Sequence, residues 1–78
     1  MSGPADEVRE LVARQLGKHD VGLDDRLIED LGADSIDAVT LVAILEETYG
    51  IRVDEERLPL LRTVRDLAEE AARPRGGG

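Results

Sequence analysis

The sequence has no cysteine, phenylalanine or tryptophan, and its only tyrosine is Tyr49. The lack of cysteine excludes disulfides, thiolate nucleophiles and cysteine-ligated zinc. It fits a cytoplasmic protein, and equally a small acidic domain that lacks cysteine by chance. The core must therefore be built from Leu, Ile, Val and Ala.

Side chains suited to catalysis are also scarce. The only histidine is His19, and the only serines are Ser2 and Ser35. No nucleophile has a base beside it, and no second histidine or cysteine accompanies His19 as a metal ligand. We therefore expect no catalytic residues, no metal site and no enzymatic activity, with His19 a solvated residue that follows a helix.

The chain has few basic residues for its number of acidic ones, 10 against 18, and a net charge of -8. Such a charge repels nucleic acid and anionic membranes, so partner proteins are expected to present basic surfaces. No apolar run approaches the roughly 18 residues that would indicate a membrane span, and no signal-peptide pattern is visible. We expect a cytoplasmic monomer.

Apolar residues recur at helical spacing and predict an all-α fold. The prediction is a small four-helix bundle with three longer helices, one short third helix and a long loop between helices one and two. Pro59 lies inside the short helix and limits it to a single turn or a 3₁₀ helix. The long helices are predicted over about 4–16, 35–49 and 64–72, in one domain (1–78) with an ordered core at about 4–73 and a flexible tail at 74–78.

The predicted helix ends carry typical terminal residues. Gly17 and Gly50 follow the first two long helices, where glycine readily adopts a left-handed conformation. Thr63 and Asp66 have the spacing of a capping box at the start of the last helix. In the loop, Leu27, Ile28 and Leu31 are predicted to form a short turn that covers one end of the bundle.

The second helix has more apolar residues than one core-facing stripe requires. Its buried stripe is predicted as Ala38, Leu41, Val42, Leu45 and Tyr49. A neighbouring row of apolar residues, flanked by polar and acidic ones, indicates either a partner-docking face or a helix buried on more sides than assumed. We name this surface the docking face: Ile36, Val39, Thr40, Ala43, Glu46 and Glu47.

Residues 30–37 read DLGADSID and place a serine at the start of the second helix. Asp34 is suited to be the N-cap, and Asp37 adds negative charge where the helix dipole favours it. Gly32 permits a turn with positive φ, so Ser35 is expected on an exposed corner. The alternative is that Ser35 is a helix N-terminal serine present only for its capping preference.

The string LGADSID, followed by an aliphatic helix, a Leu-Glu-Glu triplet and an aromatic residue, resembles the acyl carrier proteins. The resemblance extends from about Val8 to Ala72. It implies that Ser35 receives 4'-phosphopantetheine from a phosphopantetheinyl transferase, and that Asp34 and Asp37 contribute to transferase recognition or contact a divalent ion during transfer. Thr40, Ala43 and Pro59 depart from the commoner family pattern, so the choice of partners and the shape of the third helix are expected to differ from those of most relatives.

The function that the resemblance implies is an acyl carrier in fatty-acid or polyketide-type biosynthesis. Partners would be acyl- or aminoacyl-activating ligases, synthases and transferases. An aminoacyl or peptidyl carrier is the first alternative, weakly disfavoured by Ala33, and a small acidic adaptor without a prosthetic group is the second. An acyl chain could enter the core between helices two and three, lined by Leu45, Val53, Leu58 and Leu61.

Overall fold

The computed structural model describes residues 3–73 and is helical, which confirms the predicted fold class. The predicted tail at 74–78 lies outside the described residues, and the extent of the domain stays a prediction. No helix within the described part of the chain is long and apolar enough to cross a membrane. The elements are α1 (Pro4–Leu16), α2 (Ser35–Tyr49), a 3₁₀ helix (Glu55–Leu60) and α3 (Val64–Ala72).

The helix ends lie at the residues that the sequence predicts. Gly17 ends α1 with φ 67°, and Gly50 ends α2 with φ 63°. At the start of α3, the Thr63 hydroxyl accepts a hydrogen bond from the Asp66 N–H at 3.1 Å, and the Asp66 carboxylate accepts one from the Thr63 N–H at 3.0 Å. Local capping chemistry therefore sets these boundaries.

The core between the helices is aliphatic, as the composition requires. α1 packs most extensively on α3, and α2 contacts both. Tyr49 is half-buried at the end of α2, where its hydroxyl donates a hydrogen bond to Glu7 Oε1 at 2.9 Å. The buried apolar residues are Val8, Val12, Val21, Leu27, Leu31, Ala33, Leu41, Val42, Leu45, Leu61, Val64, Leu67 and Ala68.

The long loop between α1 and α2 is held against the start of α3 by backbone hydrogen bonds. The Arg65 N–H donates to the Leu23 carbonyl at 2.7 Å, and the Leu27 N–H donates to the Arg62 carbonyl at 2.9 Å. Between them, Arg26 and Thr63 form an isolated antiparallel bridge. The loop is therefore an ordered layer of the fold and not a loose connection.

One residue of the predicted covering turn is not buried. Leu27 and Leu31 enter the core, but 54% of Ile28 is exposed. The Gly32 N–H bonds to the Ile28 carbonyl and the Ala33 N–H to the Leu27 carbonyl, so the turn is tight and successive side chains cannot all face inward. The expectation that Ile28 helps cover the bundle is wrong for this reason.

The short third helix is a 3₁₀ helix of six residues with Pro59 inside it, as predicted. None of its residues is fully buried. Few buried contacts are typical of segments that open at low free energy cost. We therefore expect this segment to fluctuate more than the long helices.

Glu70, on α3, is a buried carboxylate that the sequence pattern does not reveal. Glu70 is only 2% exposed. Its Oε1 atom lies 2.9 Å from Arg57 Nη2 and 3.0 Å from Arg57 Nε. Arg73 Nη1 lies 3.3 Å from the other oxygen. Burial alone would raise the pKa of Glu70, but the hydrogen bond and charge of Arg57, with those of Arg73, hold the pKa below its usual value. This ion pair fastens the 3₁₀ helix to α3.

We expect Arg57→Ala to lower the free energy of unfolding by about 1–3 kcal/mol at pH 7, because a buried carboxylate loses its main partner. Since the pKa of Glu70 is lowered in the folded state, this loss should be present above the unfolded-state pKa and should shrink as the pH falls through the folded-state value. Urea unfolding at pH 7 and below pH ~4 tests it. Arg9→Ala, which breaks an exposed pair with Asp6, is the control. An Arg57 loss no larger than that of the control would contradict the prediction.

Tyr49 should titrate far above its ordinary value. Burial, together with the hydrogen bond and charge of Glu7, raises its pKa to about 12 from 10.0. As the only tyrosine in a chain without tryptophan, Tyr49 can be followed by phenolate absorbance, with circular dichroism confirming that the chain is folded. Glu7→Ala should lower the midpoint and Glu69→Gln should not. A midpoint near 10 in the folded chain would contradict the expectation.

Candidate functional site

Ser35 is the first residue of α2 and is exposed, as the sequence predicts. The residue before it, Asp34, is the N-cap, and its Oδ1 accepts a hydrogen bond from the Asp37 N–H at 2.8 Å. In return Asp37 Oδ2 accepts one from the Asp34 N–H at 3.2 Å. The two aspartates thus form a complete capping box around the serine. The interpretation that Ser35 is present as the cap is wrong, because Asp34 takes that role.

The chain behind Ser35 is a rigid corner. Gly32 has φ 73°, a conformation that residues with a side chain rarely adopt, and it reverses the chain before α2. On either side of it Leu31 and Ala33 are buried, at 7% and 4% exposure. Two buried anchors and one left-handed glycine therefore fix the direction in which the next residues emerge.

Arg26 and Asp30 brace the same corner. Asp30 Oδ2 accepts hydrogen bonds from the Arg26 N–H at 2.8 Å and from Arg26 Nε at 3.2 Å. The side-chain hydrogen bond, followed by the backbone one, lowers the pKa of Asp30. The carboxylate therefore stays charged and accepting over a wide pH range, which keeps the turn between them closed.

The apolar row of the docking face is exposed to solvent. Ile36 is 74% exposed and Val39 57%, and Ala43 is also exposed. The alternative interpretation, in which α2 is buried on more sides, is therefore wrong for this row. Leu41, Val42 and Leu45 of the predicted core stripe are buried, while Ala38 and Tyr49 are half-buried.

The polar members of the docking face differ in what they contact. Glu47 is exposed, whereas Thr40 and Glu46 are half-buried. The Thr40 hydroxyl donates to the Ile36 carbonyl at 2.9 Å, and Glu46 Oε2 accepts a hydrogen bond from the Val53 N–H at 2.8 Å. Glu46 thus ties the chain after α2 back onto the helix.

A groove of about 410 Å³ lies beside Ser35. Of the residues predicted to line a cavity, Leu58 and Leu61 lie in its wall, but Leu45 and Val53 do not, and Leu45 is only 1% exposed. The predicted cavity was therefore deeper in the bundle than the observed groove. Residue spacing does not indicate that loop residues contribute to the groove wall. The wall is formed by Leu27, Ile28, Glu29, Ser35, Ala38, Val39, Leu58, Pro59, Leu61 and Arg62.

The described residues form neither a histidine-based catalytic site nor a metal site. His19 is exposed in the segment after α1. Over residues 3–73, no group of three or more histidine, aspartate or glutamate side chains is arranged to hold a metal ion. The chemistry available at this site is therefore that of the serine hydroxyl, its two aspartate neighbours and the groove.

A small helical bundle that presents a serine hydroxyl at the start of its second helix has the architecture implied by the resemblance to carrier proteins. A family model described as "Phosphopantetheine attachment site" matches residues 6–71. The chain therefore belongs to the phosphopantetheine attachment site family.

Curated relatives support this membership. The acyl carrier protein of Campylobacter hominis is 42% identical over 64 residues, covering 80% of this chain and 81% of the relative. That of Phytoplasma mali is 40% identical over 65 residues, covering 81% and 77%. That of a Sulfurovum species is 41% identical over 63 residues, covering 78% and 84%.

The residues present fit the group that this family attaches, 4'-phosphopantetheine. The Ser35 hydroxyl is accessible at a helix corner, and its hydrogen-bonding neighbours serve the cap instead of burying it. The groove of about 410 Å³ gives an arm fixed at Ser35 space along the protein surface.

Because Asp34 is the N-cap of α2 and Ser35 is not, substitutions at the two positions should differ in their effect on stability. Asp34→Ala should lower the free energy of unfolding by about 1 kcal/mol because the helix loses its cap. Ser35→Ala should change it by less than ~0.5 kcal/mol, because the serine is exposed and is not the cap. Urea unfolding of both variants measures this. A Ser35→Ala loss as large as that of Asp34→Ala would mean that the serine itself supports the helix.

Proposed function

We propose that this chain is an acyl carrier protein whose 4'-phosphopantetheine is attached to Ser35. The observation that carries the proposal is the exposed Ser35 hydroxyl, at the first position of α2 and inside the span matched by the family model. The similarity to proteins named acyl carrier protein supports the same function. When bound, the arm supplies a distal thiol that holds an acyl group as a thioester.

Attachment requires a single reaction at the serine. Ser35 Oγ forms a bond to the phosphorus of coenzyme A that bears the pantetheine, and the phosphoanhydride bond breaks. Adenosine 3',5'-bisphosphate leaves with the bonding electron pair, and a base of the transferase takes the hydroxyl proton. The protein contributes an accessible oxygen on a rigid helix end, so that the enzyme meets the hydroxyl in one orientation.

Asp34 and Asp37 are proposed as the recognition residues for the transferase. The capping box uses one oxygen of each carboxylate, Oδ1 of Asp34 and Oδ2 of Asp37. The second oxygen of each can accept a hydrogen bond from a partner or contact a divalent ion. The same two residues would therefore orient the helix and mark the modification site.

The docking face is proposed to bind the transferase and the enzymes that load and use the arm. Exposed Ile36 and Val39 supply apolar contact, and exposed Glu47 supplies negative charge toward basic partner surfaces. Complementary charge accelerates encounter without a large interface, which suits partners that must exchange in turn. Glu46, since it is bonded to the Val53 N–H, contributes mainly to the fold.

The protein is proposed to act as a substrate and partner of cytoplasmic enzymes and not as a catalyst. Fatty-acid or polyketide-type biosynthesis is the proposed setting. The aminoacyl or peptidyl alternative gains no support from the three relatives described above, each of which is named an acyl carrier protein.

Incubation with coenzyme A and a promiscuous phosphopantetheinyl transferase tests the proposal. We expect the intact mass to increase by one phosphopantetheinyl unit. Ser35→Ala should abolish the gain, while Ser2→Ala, which removes the other serine, should retain it. No gain in the unaltered chain, or a gain that persists in Ser35→Ala, would refute the assignment.

A further inference from the structure

The groove beside Ser35 contains one arginine, Arg62, in a wall that is otherwise mainly apolar. We propose that Arg62 binds the carboxylate of the carried acyl group, so that the acyl groups this protein favours end in a carboxylate and not in a methyl group. This inference rests on the proposed function and adds a specificity-determining residue to it.

The side chain of Arg62 is not neutralised by the protein. Within the described residues it has no carboxylate within ion-pair distance, whereas Arg26, Arg57 and Arg65 each pair with an acidic side chain. Its one described side-chain hydrogen bond, from Nε to the Pro59 carbonyl, is long at 3.4 Å.

Asp66 is close to Arg62 in the fold, but its carboxylate bonds to the backbone and not to the Arg62 guanidinium. Its Oδ2 accepts hydrogen bonds from the backbone N–H groups of Arg62 and Thr63, both at 3.0 Å. The capping box of α3 therefore uses Oδ2 of Asp66 for the backbone, and among the described residues Asp66 forms no ion pair with the Arg62 guanidinium. A guanidinium presents paired N–H donors that match a carboxylate well.

The backbone of Arg62 is held in place from both sides. Its N–H donates to Asp66, and its carbonyl accepts a hydrogen bond from the Leu27 N–H at 2.9 Å. A binding group on a fixed backbone loses less conformational freedom when a ligand binds, which favours selective recognition.

The groove wall also contains one carboxylate, Glu29, which is exposed to solvent. Arg26, the guanidinium whose pKa the charge of Glu29 helps to raise, forms its ion pair with Asp30. Apolar residues make up most of the rest of the wall, among them Leu27, Ile28 and Val39. The groove therefore combines an apolar surface for a carbon chain with one guanidinium, that of Arg62, which has no ion pair among the described residues.

Ser35 and Arg62 lie in the wall of the same groove, Ser35 on the first turn of α2 and Arg62 between the 3₁₀ helix and α3. The volume of about 410 Å³ corresponds to roughly 14 water-sized units of ~30 Å³, which is enough for an acyl group of several carbons.

Two acyl groups of equal length provide the test. The isotope-labelled chain is loaded by the transferase from succinyl-coenzyme A or butyryl-coenzyme A, and intact mass confirms each loading. Both acyl groups have four carbons, but only succinyl ends in a carboxylate. We expect the side-chain Nε–H resonance of Arg62 and the amides of Leu58 and Leu61 to shift at least twofold more with succinyl than with butyryl.

Variants separate charge recognition from a general effect of loading. Arg62→Gln should abolish the difference between the two acyl groups, and Arg62→Lys should retain part of it. Arg14→Gln, which removes an arginine of α1 that also has no ion pair among the described residues, should leave the difference unchanged. Circular dichroism confirms that each variant is folded.

The outcomes distinguish the two hypotheses. An absent mass gain refutes the proposed function, and this inference with it. A loaded chain in which Arg62 does not respond, or responds equally to succinyl, butyryl and the unacylated arm, overturns this inference alone. Equal responses would identify the phosphate of the arm as the anion that Arg62 contacts.

Discussion

The hydrogen bonds exchanged by Asp34 and Asp37 are the constraint on which the site depends. A helix begins where its first N–H groups find acceptors, and here two carboxylates satisfy them one residue before and two residues after Ser35. The serine hydroxyl is consequently not the cap of the helix. Its hydroxyl is available for chemistry because Asp34 and Asp37 form the capping hydrogen bonds.

The corner that precedes α2 depends in turn on the layer beneath it. Leu27, Leu31 and Ala33 anchor the loop in the aliphatic core, and the loop pairs with the residues that start α3. The attachment corner, the long loop and the last helix thus form a continuous hydrogen-bonded and packed unit. With Tyr49 as the only aromatic side chain of the sequence, this network of backbone bonds provides much of the order around the site.

The features predictable from the sequence were those with local causes. Gly17, Gly50 and the Thr63–Asp66 pair act within one turn of a helix, so the bounds of α1, α2 and α3 could be derived from spacing alone. The exposed position of Ser35 followed in the same way.

Features that depend on distant parts of the chain could not be derived. Because Glu70 is charged, its sequence position alone predicts exposure to solvent. It is buried because Arg57, 13 residues away in the chain, donates hydrogen bonds to its carboxylate. Ile28 is exposed because of hydrogen bonds that close its turn, and the groove beside Ser35 includes loop residues that periodicity cannot position. Each of these three features depends on a contact between elements of the fold. The spacing of residues along a single helix gives no information about such contacts.

The ion pair of Arg57 with Glu70 has a consequence for how the groove can vary. Residues 54–61 are secured at one end where Glu46 holds the Val53 N–H, and at the other where Arg62 and Thr63 bond to the loop and to Asp66. Between these ends the ion pair ties the 3₁₀ helix to α3. The part of the groove wall formed by Leu58 and Pro59 is therefore held by contacts to α2 and α3, whereas Ser35 is held by the capping box. A substitution in that part of the wall is thus expected to change the width of the groove while the attachment point keeps its geometry.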